Sequence, residues 1–227
     1  MDDERIKVMA IMAHPDDAEF TCGGTFAKWI REGREVQYVV CTSGGKGTKD
    51  PEMTPHRLAE VREKEQRAAA QVLGVKEVAF LRHIDGELVA DMAFRAEIAM
   101  LIRRYQPHII FTHDPWRPYQ LHPDHRAVGF TVTDAIVAAR DHLFLPGLAY
   151  LGLEAFAPRE IYFWSAAEPD HYEDITDTID IKLEALSHHE SQLRHYPQWR
   201  ERIRDWARET GKEKGLPFAE AFKRITL

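Results

Sequence analysis

Ile6-Lys7-Val8-Met9-Ala10-Ile11-Met12 runs directly into Ala13-His14-Pro15-Asp16-Asp17-Ala18-Glu19. The first seven residues read as a short, largely buried strand with one polar position, Lys7. Pro15 cannot donate to a sheet ladder and restricts the residue before it, so the strand should stop near His14. One imidazole and two carboxylates then crowd into four positions just past the strand's C-terminal end. In an open α/β sheet that is where ligands bind. An ordinary solvated loop has no need of such crowding, whereas a metal site does.

Strand-like and helix-like runs alternate outward from this point. Thr21 to Arg31 carries Phe26, Trp29 and Ile30 at helical spacing, with Gly33 as a stop, and Glu35 to Cys41 is a β-branched and aromatic strand. Thr42 to Thr48 is Gly-rich and contains Lys46 but lacks the phosphate-loop spacing, so a mobile loop near the site is the plainer expectation. A long charged helix from Thr54 to Leu73 ends at Gly74, and a strand over Val78–Leu81 runs out to Asp85. Met92–Tyr105 is a helix, His108–Thr112 a strand delivering His113-Asp114-Pro115, and about Arg126–Ala139 a further helix opened by His122-Pro123-Asp124-His125. Ile161 to Trp164 is a late strand, and the part from about residue 165 is expected to be a helical cover, with Trp199 and Trp206 on one buried face. This alternation implies an α/β, Rossmann-like, mostly parallel sheet with helices on both faces, joined by right-handed crossovers. The 227 residues show no repeat or linker, so one domain is expected.

Composition narrows the function. A formal charge of −7 without a basic block argues against nucleic acid, and no apolar run approaches the roughly 18 residues of a membrane span. Two cysteines, Cys22 and Cys41, are too few for a disulfide scaffold and read as core residues. The acidic start Met1-Asp2-Asp3-Glu4 does not read as a signal peptide, so a soluble cytoplasmic protein is expected.

His14 and Asp17, three apart, can converge on one point, and His125 follows a different strand end. Two imidazoles and one carboxylate leave a coordination position open, the make-up of a catalytic zinc site. Asp16 stands beside these ligands as a base for water, and His122 is placed to steady an oxyanion or protonate a leaving group. Asp124 would orient His122. The plainer alternative makes Asp16 and Asp17 helix N-terminal acids and His122 and His125 surface residues. Two histidines and a carboxylate also describe the iron(II) facial triad of oxygenases, so iron(II) is a possible metal. A metal-free nucleotide-binding regulatory module is the third reading, although no Gly-x-Gly-x-x-Gly follows the first strand.

Ala13-His14-Pro15-Asp16-Asp17-Ala18-Glu19 together with His122-Pro123-Asp124-His125 resembles the zinc-dependent de-N-acetylases of the PIG-L/LmbE-like superfamily. The likeness extends over most of the chain, through Gly23-Gly24-Thr25, Arg62-x-x-Glu65, Leu73-Gly74-Val75, Lys182 and His189-x-Ser191-Gln192. It implies a Rossmann-like hydrolase that removes acetyl groups from N-acetylglucosamine-type small molecules. It also implies His14, Asp17 and His125 as zinc ligands, Asp16 as base and His122 as electrostatic catalyst, with a homo-oligomer possible. Arg62 becomes a substrate contact only through this likeness. Asp85 could hold a sugar hydroxyl or be an ordinary turn aspartate, and the loop Trp116-Arg117-Pro118-Tyr119 would shape the substrate pocket. Some members carry a tyrosine two residues before the first His of the second motif. Here Gln120 stands there, beside Tyr119. His113 is either structural or a partner of the site, and His188 and His189 are read as packing or subunit-contact residues.

Overall fold

The structure, a computed structural model, describes residues 5–227; Met1–Glu4, the segment read against a signal peptide, lie outside the described residues. The chain runs β1 (Lys7–Met12), α1 (Asp17–Arg31), β2 (Glu35–Thr42), α2 (Pro55–Leu73), β3 (Glu77–His83), α3 (Met92–Tyr105), β4 (Ile109–His113) and α4 (Pro123–Arg140). A 3-10 turn (Pro146–Leu151) precedes β5 (Glu160–Trp164), β6 (His171–Asp174), α5 (Ile179–Ser187), α6 (Glu190–Leu193), α7 (Trp199–Lys212) and β7 (Ala219–Thr226).

One sheet has the order β3-β2-β1-β4-β5-β7-β6, parallel from β3 through β5. β7 is antiparallel to both β5 and β6. The expected parallel α/β sheet is therefore present, with an antiparallel edge that the sequence reading did not contain. The C-terminal part is not solely a helical cover. β7 interleaves Ala219, Ala221 and Phe222 with charged residues, a weak strand signal. It is a strand because β5 offers it an edge, from Glu160 opposite Thr226 to Trp164 opposite Phe222.

The pleat sends alternate residues of β1 to opposite faces. Met9 and Ile11 join Ile98, Ile102, Val128, Val132 and Phe163 under α3 and α4. Val8, Ala10 and Met12 join Phe26, Trp29, Tyr38, Phe111, Tyr162 and Trp164 under α1 and α2. A smaller cluster, including Ile175, Leu183, Leu186 and Ile203, seats the C-terminal helices. Trp199 packs against that cluster, but Trp206 is half exposed, unlike the expectation of a buried pair. At 100° per residue, Trp206 falls at the margin of the buried Ile203–Ala207 face. No helix among the described residues is long and apolar enough to cross a membrane.

Local chemistry explains the helix ends that frame the site. α2 starts where the Thr54 hydroxyl accepts the Arg57 N–H and Pro55 takes the first turn, and it stops at Gly74 with φ 85°. α1 is kinked at Cys22, where φ is −139°. The kink takes Gly24 and Thr25 N–H out of the helical ladder, and the Glu220 carboxylate of β7 accepts both, at 3.0 and 2.7 Å. The strand order reverses between β1 and β4, and the ends of those two strands carry the chemistry.

Candidate metal centre and active site

His14 lies just past β1, Asp17 opens α1 and His125 sits in the first turn of α4. The sheet brings them together: His14 Nδ1 is 3.1 Å from His125 Nε2. Asp17 carboxylate oxygens lie 3.6 Å from His14 Nδ1 and 3.4 Å from His125 Nε2. Tetrahedral zinc with ligands at about 2.0–2.1 Å needs donors roughly 3.3 Å apart, close to the spacing of the two imidazole nitrogens and the Asp17 carboxylate, which turns Oδ2 to His14 and Oδ1 to His125. Three overlapping groups here bring donor atoms within 4.8 Å of one another: His14, His122 and His125; Asp17, His113 and His125; and His14, Asp85, His122 and Asp124.

Hydrogen bonding separates donors from their supports. His14 Nε2 faces two carboxylates, Asp124 at 3.1 Å and Asp85 at 3.3 Å. Carboxylates accept, so that nitrogen carries the proton and Nδ1 is left to a metal. Asp124 is itself held by the Gly86 and Leu88 N–H groups at 2.7 and 3.2 Å. The expectation that Asp124 orients His122 is therefore corrected: Asp124 orients His14. Residues two apart at a helix start do not face each other, and His122 Nδ1 is buried without a hydrogen-bond partner. His122 instead stacks on His125, with ring centroids 4.6 Å apart, and meets His14 edge-on at 4.5 Å.

His113, at the end of β4, serves Asp17. The Trp164 indole N–H donates to His113 Nδ1 at 3.0 Å, which puts the proton of a neutral ring on Nε2; that nitrogen lies 3.2 Å from both the Asp17 carboxylate and the Ala13 backbone nitrogen, and of the two only the carboxylate can accept from it. With Nδ1 occupied, Nε2 cannot also present a lone pair to a metal. Burial pushes the His113 pKa down to about 4, against the pull of Asp17, which keeps the ring neutral. Burial alone would raise the Asp17 carboxyl, but His125 and His113 drive it well below the usual range. Burial also works against a charged His14, yet Asp124, Asp17 and Asp85 together raise it well above the ordinary value.

Asp16 caps α1 at φ 94° and ψ −24°, a left-handed conformation that costs a non-glycine residue about 1–3 kcal/mol. Arg62 Nη2 reaches its carboxylate at 3.1 Å, Pro15 O at 2.5 Å, and Nη1 reaches Gly44 O at 2.9 Å. Arg62 is buried, so the residue expected at the substrate is first of all a brace for Asp16. Gly44 makes room for it, since a Cβ there would lie 2.5 Å from the guanidinium. Burial raises the Asp16 carboxyl, opposed by Arg62 and His189. Asp85 accepts the Lys46 N–H at 2.8 Å, and its carboxyl is held at about 2, burial being outweighed by His14 and this N–H. The loop that carries Lys46 is thus a support for Asp85 and Arg62. Tyr119 is 94% exposed and at φ 61°, on the outer rim rather than packed in the site.

Residues 9–136, more than half of the chain, match the family model described as GlcNAc-PI de-N-acetylase (PIG-L). The chain belongs to the PIG-L family. It is 36% identical over 219 residues to diacetylchitobiose deacetylase of Thermococcus kodakarensis, covering 96% of this chain and 82% of that one. It is 28% identical to 1D-myo-inositol 2-acetamido-2-deoxy-alpha-D-glucopyranoside deacetylase of Mycobacterium sp. (strain KMS), covering 82% and 74%. Among solved structures, N,N'-diacetylchitobiose deacetylase from Pyrococcus horikoshii, complexed with its inhibitor MPG, superposes with a TM-score of 0.93. That pair shares 33% identity and covers 98% of this chain and 85% of that one.

Within this PIG-L chain, the sequence reading missed the partners of the site. Trp164, Gln66, Glu19 and His189 are all buried, and each touches a site residue or one of its partners. His189, read as a packing residue, is fully buried with Nε2 3.3 Å from Glu19 Oε2. Glu19 and His189 both stood in the motifs of the resemblance, but without an assigned partner. Cys22 and Cys41 are buried free thiols, raised well above their usual range by burial, as core cysteines should be.

Proposed function

We propose that this PIG-L enzyme is a zinc-dependent N-deacetylase that hydrolyses the acetamide of an N-acetylglucosamine-type conjugate, with His14, Asp17 and His125 holding the metal. The observation that carries this is the convergence of His14 Nδ1, His125 Nε2 and the two oxygens of Asp17, with contacts of 3.1, 3.4 and 3.6 Å, beside a braced carboxylate. Zinc bound there supplies a Lewis acid and lowers the pKa of water. Asp16 takes the proton of the attacking water. Arg62 fixes the Asp16 carboxylate, and Asp124 fixes the His14 ring. His122, at the N-terminus of α4, donates to the developing oxyanion. Asp85 and Tyr119 are the candidate sugar contacts, one at the floor and one at the rim. The printed names of the relatives support an N-acetylated sugar as substrate, and N,N'-diacetylchitobiose is the first to offer. An iron oxygenase or a metal-free nucleotide-binding module is favoured by no feature of the fold or the family.

The test pairs zinc content with acetate release from N,N'-diacetylchitobiose and N-acetylglucosamine. Asp16→Asn should keep one zinc per chain and lose about 10²–10⁴ in kcat. Near-normal turnover in Asp16→Asn would sink the base assignment.

A further inference from the structure

Asp16 holds a left-handed backbone without the glycine that would make it easy, and its own side chain makes no capping bond. Something else must hold it. Its N–H donates to Gln66 Oε1 at 2.8 Å. That oxygen points the right way because the other end of the same amide donates to Glu19 Oε1 at 2.9 Å. Glu19, three residues after Asp16 on the same helix, is fully buried, and its second oxygen faces His189 Nε2 at 3.3 Å. Gln66 and His189 are fully buried as well.

His189 comes from the far end of the chain, beyond residues 9–136 that match the family model. It is carried to α2 by the residues after it. Ser191 donates N–H and hydroxyl to the two oxygens of Glu65 at 2.7 and 2.6 Å, and Gln192 donates to Gly47 O at 3.1 Å. Arg62, Glu65 and Gln66 stand at i, i+3 and i+4, so one face of α2 grips both Asp16 and the segment bearing His189.

We propose that Gln66, Glu19 and His189 form a buried positioning relay that sets the backbone of Asp16 from the C-terminal segment. This rests on the reading of Asp16 as the base. Glu19 joins the two ends of the relay, one oxygen accepting from the Gln66 amide at 2.9 Å and the other lying 3.3 Å from His189 Nε2. What the three residues share is the line of contacts that ends on the Asp16 N–H. None of them touches His14, Asp17 or His125 through a hydrogen bond or ion pair described above, so metal binding and base positioning are separable.

The experiment uses zinc-loaded full-length protein with Gln66→Leu and, as a milder change that keeps a polar group, His189→Gln. Each is made alone and in the Asp16→Asn background. Three quantities are read: kcat and KM for acetate release, zinc per chain, and hydrogen exchange of the Asp16 amide. The relay predicts a fall in kcat of about 10–100-fold in the wild-type background, with KM and zinc unchanged. It predicts faster exchange of the Asp16 amide and a further loss below about 2-fold in Asp16→Asn, because residues acting through one group are not additive. Equal losses in both backgrounds overturn the relay, as does zinc lost in step with activity, or an unchanged kcat. Should Asp16→Asn itself turn over normally, the base reading fails. The Asp16 amide then decides the relay alone, and unchanged exchange in Gln66→Leu overturns it.

Discussion

Two buried polar centres sit on the same helix, roughly 10 Å apart along α1. At its kink, Glu220 accepts Gly24 N–H at 3.0 Å, Thr25 N–H at 2.7 Å, Thr25 hydroxyl at 2.6 Å and Lys182 ammonium at 2.5 Å. Lys182 also donates to Phe20 O at 2.8 Å, so every charge there is answered by protein. At its start, His14 Nδ1, His125 Nε2 and the Asp17 carboxylate face one another within 3.6 Å, and beside them His122 Nδ1 is buried with no hydrogen-bond partner. Both centres are dense in charge, the one at the kink sealed from water and the one at the start open to it at His125. The saturated one locks the C-terminal strand to α1, and the unsaturated one is where we propose the metal and the reaction. Counting unsatisfied donors and acceptors separates the two better than counting charges does.

Substitutions can break this contrast in turn. His14→Ala should abolish both bound zinc and acetate release while leaving a folded protein, measured by metal analysis and circular dichroism. Added zinc should raise the melting temperature of the native protein, the linkage reaching about 4 kcal/mol at a thousandfold excess over Kd, and should not move His14→Ala. Glu220→Ala should do the reverse. It leaves Lys182 buried without its partner and should cost about 3–5 kcal/mol, or about 10 °C in melting temperature, with zinc per folded chain and KM unchanged. Because the two centres lie apart, the stabilisation by zinc should be the same size in Glu220→Ala as in the native protein. If the zinc increment shrank there, the two centres would be one coupled unit.

Asp124→Asn tests the support of His14. It should weaken zinc binding about 10–100-fold, read by competition with a chelator, and His122→Gln should not. The smallest effect belongs to the rim. Tyr119→Ala should leave stability within about 0.5 kcal/mol, since the ring is exposed, and any change should be in KM.

The helix and strand pattern was legible because each signal is local. Apolar alternation in β1, the Thr54–Pro55 start of α2 and its Gly74 stop all act within a few residues. The residue types of the site were legible for the same reason, since strand ends and turns set them side by side. Their pairing was not. Asp124 was assigned to its neighbour His122, although its carboxylate belongs to His14, a residue 110 positions away. Arg62, expected only as a substrate contact, reaches the carboxylate of Asp16, 46 positions away. His113 acquires a defined tautomer only when Trp164, on another strand, donates to it. β7 escaped notice because its strand character comes from the edge it completes.

By itself the sequence determined the α/β class, the order of elements and the set of side chains able to do metal-assisted hydrolysis. Periodicity, turn chemistry and Pro or Gly punctuation are short-range effects that any reader of the chain can apply. Tertiary structure alone decided which nitrogen of His14 and His113 carries a proton, which carboxylate answers which imidazole, and that His189 stands behind Asp16. Those outcomes depend on which strands become neighbours and which side chains lose their water together. Desolvation and hydrogen-bond geometry act between atoms brought close by the fold, whatever their separation along the chain.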